Sequence, residues 1–123
     1  MLDTSPLTAV VERFADRLRA APQSRLQQGA AAEALELARE LSLRAQRLEA
    51  AAGCAPGAAT AHVMPDAGLF AVGDQVAVAG LDLAEALRAL PEAGAGADTT
   101  TAPSGMLDEA VRLVERAEVR AMR

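Results

Sequence analysis

The chain has 123 residues, 31 of them alanine and 16 leucine, and it contains no Trp, Tyr, Ile, Lys or Asn. A chain of this length forms one domain with a modest core. The N-terminus has no basic, apolar leader, and no apolar run reaches about 18 residues, so we expect neither a secretory signal nor a membrane-spanning helix. A single cysteine excludes an internal disulfide bond. These features predict a cytoplasmic protein, and the all-arginine basic set is typical of a high-GC bacterium.

The net charge of −5 arises in the middle of the chain. Residues 1–52 carry seven acids and seven arginines, and residues 106–123 carry four of each. Residues 53–105 carry six acids against Arg88 alone. Nucleic acids are bound through basic contacts to phosphate, so this distribution makes nucleic acid an unlikely partner.

The first predicted helix covers residues 5–20. Ser5 is a good N-cap, Pro6 is favoured at the first helical position, and Pro22 stops the helix. Apolar side chains recur at helical spacing at Leu7, Val10, Val11, Phe14 and Leu18.

The second predicted helix is long and covers residues 24–52. Ser24 and Gln27 form a capping-box pattern, and Gly53 offers a C-cap. An alanine-rich stripe follows one face through Leu26, Ala30, Ala34, Leu37, Leu41, Ala45, Leu48 and Ala52. This stripe packs either on helices of the same chain or on the same stripe of a second copy.

The residues after this helix predict a small β-hairpin or a three-stranded meander. The period changes from helical to two after this helix, which predicts strands at 60–64, 69–72 and 75–79, and Gly73-Asp74 is a two-residue turn signal. In that register the face that carries Phe70 and Val72 is half exposed or covered by a partner.

A short helix, a linker and a last helix complete the prediction. Asp82 and Glu85 predict the start of the short helix, and Pro91 its end. Residues 91–105 lack large apolar side chains, which predicts a flexible linker. The terminal helix, 106–123, presents Leu107, Val111 and Val114, and it either folds back or docks in a partner's groove. The predicted class is therefore α+β, mainly helical, with a domain at 1–90, a linker at 91–105 and a C-terminal helix at 106–123.

The chemistry-bearing residues have structural explanations. Cys54 and His62 are candidates for a nucleophile pair, but packing roles account for both. Asp66 and Asp74 fit turns and Asp82 fits an N-cap, while metal-ligand and phosphate-loop spacings are absent from the sequence. We therefore predict no catalytic residues, no metal and no cofactor.

A helix pair followed by a hairpin also fits a winged helix, although the hairpin has no basic residue for DNA. The Gly-Asp-x-Val-x-Val sequence at 73–78 is similar to hairpins of barrel and swapped-hairpin antitoxin modules, but six residues define no family. A DNA-associated regulator or antitoxin is therefore one alternative. A binder of a small apolar ligand between helices and hairpin is another.

The favoured prediction is a non-enzymatic regulatory or interaction protein that forms a homodimer and binds an unidentified second protein. The candidate docking helix presents Leu107, Val111 and Val114. The candidate interface comprises Leu26, Ala30, Ala34, Leu37, Leu41, Leu43, Ala45, Leu48, Phe70 and Val72.

Overall fold

The computed structural model describes residues 2–51, 62–91 and 102–123, of which 79% are helical and none lies in a β-strand. The mainly helical character is confirmed, but the α+β class is wrong. The elements, in chain order, are α1 (Ser5–Ala20), α2 (Gln23–Arg25), a π-helical turn (Leu26–Ala30), α3 (Ala31–Ala51), α4 (Val72–Arg88) and α5 (Pro103–Ala121).

Helix α1 has the predicted bounds and buries the predicted face. Leu7, Phe14 and Leu18 are almost fully buried. The predicted N-cap at Ser5 is wrong, because Ser5 is the first helical residue and Thr4 occupies the N-cap position without a side-chain cap bond. The Asp3 Oδ1 atom accepts hydrogen bonds from the Ser5 hydroxyl at 2.6 Å and the Ser5 backbone N–H at 3.0 Å. Both hydrogen bonds lower the pKa of Asp3 below its ordinary value, and the bond from the Ser5 hydroxyl has the larger effect.

The long second helix is interrupted near its start. Gly29 has a φ of 133° and a ψ of −16°, so the segment turns between α2 and α3 instead of running straight. The predicted capping box does not form, because Pro22 occupies the N-cap position without a side-chain cap bond. The predicted C-cap at Gly53 lies outside the described residues.

The predicted β-hairpin is wrong, because 72–79 belong to α4 and 62–64 form no strand. Residues 60 and 61 of the first predicted strand lie outside the described part of the chain. The apolar residues Val72, Val76, Leu83 and Leu87 are spaced by four, seven and four, which also fits a helix, and all four are buried. Short apolar segments fit both periods, and the helix places these four side chains together in one core.

The two glycines of α4 serve close packing against α1. A Cβ atom on Gly80 would lie 2.5 Å from Val11 Cγ1, and one on Gly73 would lie 3.1 Å from the Ala15 carbonyl oxygen. The prediction that Gly73 begins a hairpin turn is therefore wrong. Asp74 at the start of α4 binds Arg19 at the end of α1, with an Nη2–Oδ1 distance of 2.7 Å. The two helices are therefore antiparallel.

Helix α5 packs back on α1 and α3. Glu33 pairs with Arg120 at 3.7 Å and Arg44 with Glu109 at 3.1 Å, so α3 and α5 are antiparallel. Glu118 is buried, with a side chain 8% exposed. Its carboxylate forms ion pairs with two arginines of α1. The distance is 2.8 Å from Oε1 to Arg13 Nη2 and 3.3 Å from Oε2 to Arg17 Nη1.

In the described part of the chain, α1, α3, α4 and α5 form a four-helix bundle in which α4 and α5 each pack on both α1 and α3. Helices α4 and α5 also contact each other, but less extensively. Of the predicted linker, residues 92–101 lie outside the described part of the chain, whereas 103–105 form the first turn of α5. Among the described residues, no helix combines the length and apolarity needed to cross a membrane.

Candidate functional site

A non-helical segment, residues 62–68, leads into a turn at 69–71 and then into α4; we call residues 62–71 the strap. Side chains of α3 and α4 hold its backbone. Arg39 Nε donates to the Met64 carbonyl at 2.8 Å, and Gln75 Nε2 donates to the Pro65 carbonyl at 2.7 Å. The strap therefore follows α3 back towards its N-terminal end.

Gln46 holds the first described residue of the strap with both ends of its amide. Its Nε2 donates to the His62 carbonyl at 2.7 Å, while its Oε1 accepts from the His62 N–H. A single side chain thus replaces the backbone partners that a β-strand would provide at this position.

The strap ends in a tight turn. Gly68 has a φ of 96°, which favours glycine, and its N–H donates to Asp66 Oδ1 at 2.9 Å. The predicted turn role of Asp66 is therefore confirmed. The Ala71 N–H donates to the Gly68 carbonyl at 3.2 Å, which places Val72 at the start of α4.

A groove of about 490 Å³ lies between the strap, α4 and the N-terminal part of α3. Leu26, Leu35, Leu69 and Val72 are its large apolar side chains. Gly29 also lines the groove, so the break in the long helix forms part of its wall. The polar lining comes from Gln27, Glu36, Arg39, Asp66 and Gln75.

The groove has a negative rim. Glu36 and Asp66 contribute carboxylates, whereas the one guanidinium in the lining, that of Arg39, is bonded to the strap backbone. A ligand with a cationic group beside an apolar group therefore suits this surface better than an anion.

Phe70 follows Leu69 of the groove wall and is 77% exposed. It is one of only two aromatic residues in the chain. The other, Phe14, is fully buried. An exposed phenyl ring next to an apolar groove is typical of a binding surface, because aromatic anchors contribute much of the energy of protein interfaces.

The predicted interface residues occupy three different environments. Of these residues, Phe70 alone is exposed, and Leu43 and Leu48 are half-buried. Leu26 and Val72 are buried but line the groove. The remaining stripe residues, buried in the chain's own core, are Ala30, Ala34, Leu37, Leu41 and Ala45.

The candidate docking helix, α5, packs its predicted apolar face against helices of the same chain. Leu107 and Val114 are buried and Val111 is half-buried, within the packing of α5 on α1 and α3. In this structure these side chains contact the chain's own helices.

Within 2–51, 62–91 and 102–123, the other chemistry-bearing side chains form no common site. Cys54 lies outside the described residues, and His62 is exposed. The predicted hairpin turn at Asp74 and N-cap at Asp82 are wrong, because both residues lie within α4. Among the described residues, no three His, Cys, Asp or Glu side chains are grouped as metal ligands.

Sequence reasoning missed the polar residues that hold the strap. Arg39, Gln46 and Gln75 look like ordinary surface residues of helices, and no spacing pattern marks them. Their role depends on the path of a connection that the sequence does not specify. The amides of Gln46 and Gln75, in helices otherwise rich in Ala and charged residues, are the weak signal that was available.

No family model, curated protein or solved structure matches this chain. The function is therefore argued from the groove and from the surfaces of the bundle.

Proposed function

We propose that this is a non-enzymatic interaction protein that binds a segment of another protein in the groove beside the strap. The observation that carries the proposal is the exposed Phe70, which lies in the chain between two residues of the groove lining, Leu69 and Val72. Burying such a ring contributes about 1.5–3 kcal/mol, which is a large share of the energy of a weak protein complex.

The construction of the groove supports binding rather than catalysis. Arg39, Gln46 and Gln75 use their polar groups on the strap backbone. Their bonds fix the wall of the groove before a ligand arrives. A preformed wall reduces the entropy lost on binding.

The lining also indicates the chemistry of the partner. An apolar side chain fits between Leu35 and Leu69, and an adjacent Arg or Lys fits the carboxylates of Glu36 and Asp66. We therefore expect the bound segment to carry an apolar residue flanked by basic residues.

Selection from a random peptide library displayed on phage tests this proposal. The selected peptides should carry the apolar-basic pattern, and Phe70→Ala should weaken their binding about tenfold or more, as for an interface anchor. Val63→Ala is the matched control, because Val63 is also on the strap and is 56% exposed. It should leave binding within about twofold, which corresponds to about 0.4 kcal/mol.

Three results would contradict the proposal. One is a selection that enriches no sequence. Another is a set of peptides without basic residues, and the third is equal loss of binding in Phe70→Ala and Val63→Ala.

A small apolar ligand is the second candidate, because about 490 Å³ lies within the usual range of ligand pockets. The same variant discriminates between the two functions. A small ligand held between Leu26, Leu35 and Leu69 should still bind Phe70→Ala, whereas a peptide should not. Isothermal titration of the wild type and of Phe70→Ala measures the difference.

A further inference from the structure

The outer face of α4 carries exposed apolar residues among acids. Val78 and Leu81 are about half exposed, one helical turn apart. Leu81 also lines a groove of about 320 Å³ between α4 and α1, whose floor includes Val11 and Ala77. The acids on this surface, which we call the α1–α4 face, are Glu12, Asp16, Asp74, Asp82 and Glu85.

Arg19 neutralises part of this face. It pairs with Asp74 at 2.7 Å and with Asp16 at 3.1 Å. The hydrogen bond to Asp74 is the largest cause of the raised pKa of Arg19. Glu12, Asp82 and Glu85 have no ion-pair partner among the residues that the structure describes.

The outer face of α5 carries the opposite charge around an exposed apolar residue. Val119 is 59% exposed and lies in a shallow hollow whose charged lining is three arginines, Arg116, Arg120 and Arg123, and one acid, Glu115. Arg112 precedes Arg116 by one helical turn on the same side. We call this surface, which runs from Arg112 to Arg123, the α5 face.

We propose that the α5 face of one molecule binds the α1–α4 face of a second copy. Both surfaces carry one or two exposed apolar residues, and the charges around them are opposite, because acids predominate on the α1–α4 face and arginines on the α5 face. Val119 enters the groove beside Leu81, and Arg116 and its neighbours reach Asp82 and Glu85. The contact uses different residues from the groove beside the strap, so it stands or fails independently of the proposed function.

This contact also differs from pairing through the alanine-rich stripe of α3, which is buried in the chain itself. The two faces share no residues. A contact between different surfaces is heterologous, and it adds molecules in a row or a ring instead of closing a symmetric dimer. The average mass should therefore keep rising with concentration.

Sedimentation velocity of the whole chain tests the contact. At about 50 mM salt the average mass should rise above 12.6 kDa with concentration, and at about 500 mM salt it should return towards the monomer, because salt screens exposed charges. A chain that stays at 12.6 kDa at every concentration in low salt overturns the proposal.

Charge reversal makes the test specific to these faces. Glu85→Arg and Arg116→Glu should each weaken association about fivefold or more, because attraction becomes repulsion. Glu49→Arg and Arg47→Glu are the matched controls, since both residues are exposed on α3 away from both faces. The controls should associate like the wild type.

An equimolar mixture of Glu85→Arg and Arg116→Glu distinguishes a heterologous contact from a symmetric one. The wild-type α5 face of the first variant can bind the wild-type α1–α4 face of the second, and the two reversed faces suit each other. The mixture should therefore recover most of the association lost by each variant alone. If it associates no better than they do, or if the controls lose association equally, the proposal is wrong.

Discussion

Gly80 shows how a single residue sets the distance between two helices. A Cβ atom at this position would lie 2.5 and 2.7 Å from the two γ-carbons of Val11, well inside van der Waals contact. We expect Gly80→Ala to separate α1 from α4 and to lower the free energy of unfolding by about 1–3 kcal/mol, as overpacking does. Urea denaturation measures this change.

Val11→Ala provides the control, because it removes the carbon atoms that the new methyl group would meet. Alone it leaves a cavity and destabilises the bundle. Combined with Gly80→Ala it should be less harmful than the sum of the two single changes. Strict additivity would show that Gly80 and Val11 do not restrict each other.

Single residues were also the least predictable part of the molecule. Gly73 and Asp74 form a strong hairpin signal in the sequence, yet they lie in the first turn of a helix. What decides the outcome is the close approach of α1, which only the tertiary structure reveals. The turn role of Asp66, by contrast, depends on a bond to the nearby Gly68, and it was predicted correctly.

At the scale of elements, the break in the long helix shapes the groove. Gly29 has a φ of 133°, where a side chain is strained although nothing lies within 4 Å of its added Cβ atom. Gly29→Ala should therefore lower the free energy of unfolding by about 1–3 kcal/mol through the backbone alone.

Gln28→Ala is the matched control for this prediction, because Gln28 is exposed in the same turn. It should leave stability within about 0.5 kcal/mol, as most surface substitutions do. Circular dichroism during thermal unfolding gives both values. Equal stability of Gly29→Ala and wild type would mean that the break is not held by glycine.

Elements whose apolar residues have only helical spacing were predicted well. The element whose apolar residues fit both helix and strand spacing was not. Helices α1 and α5 have helical spacing throughout, and their positions agree with the prediction to within a few residues. Residues 72–79 fit both a strand and a helix, and local pattern alone could not choose between them. The helix also continues into 80–88, a continuity that the predicted boundary at Asp82 concealed.

At the scale of the whole molecule, the candidate site depends on the path of a connection. The strap returns along α3, and α4 then starts beside the same end of α3. Phe70 and Val72 were predicted as interface residues from their exposure on a supposed hairpin. The structure instead places them at the junction of strap and helix. The proximity of this junction to Leu26 and Leu35 follows from the bundle topology, which sequence patterns do not specify.

The most direct test of the central claim is nuclear magnetic resonance mapping of a selected apolar-basic peptide on the whole chain. The largest amide shift changes should fall in residues 26–39 and 66–75, which surround the groove, and Phe70→Ala should require about tenfold or more peptide to produce them. Changes centred on Val119 and Arg116 of α5, or spread evenly over the bundle, would contradict the account.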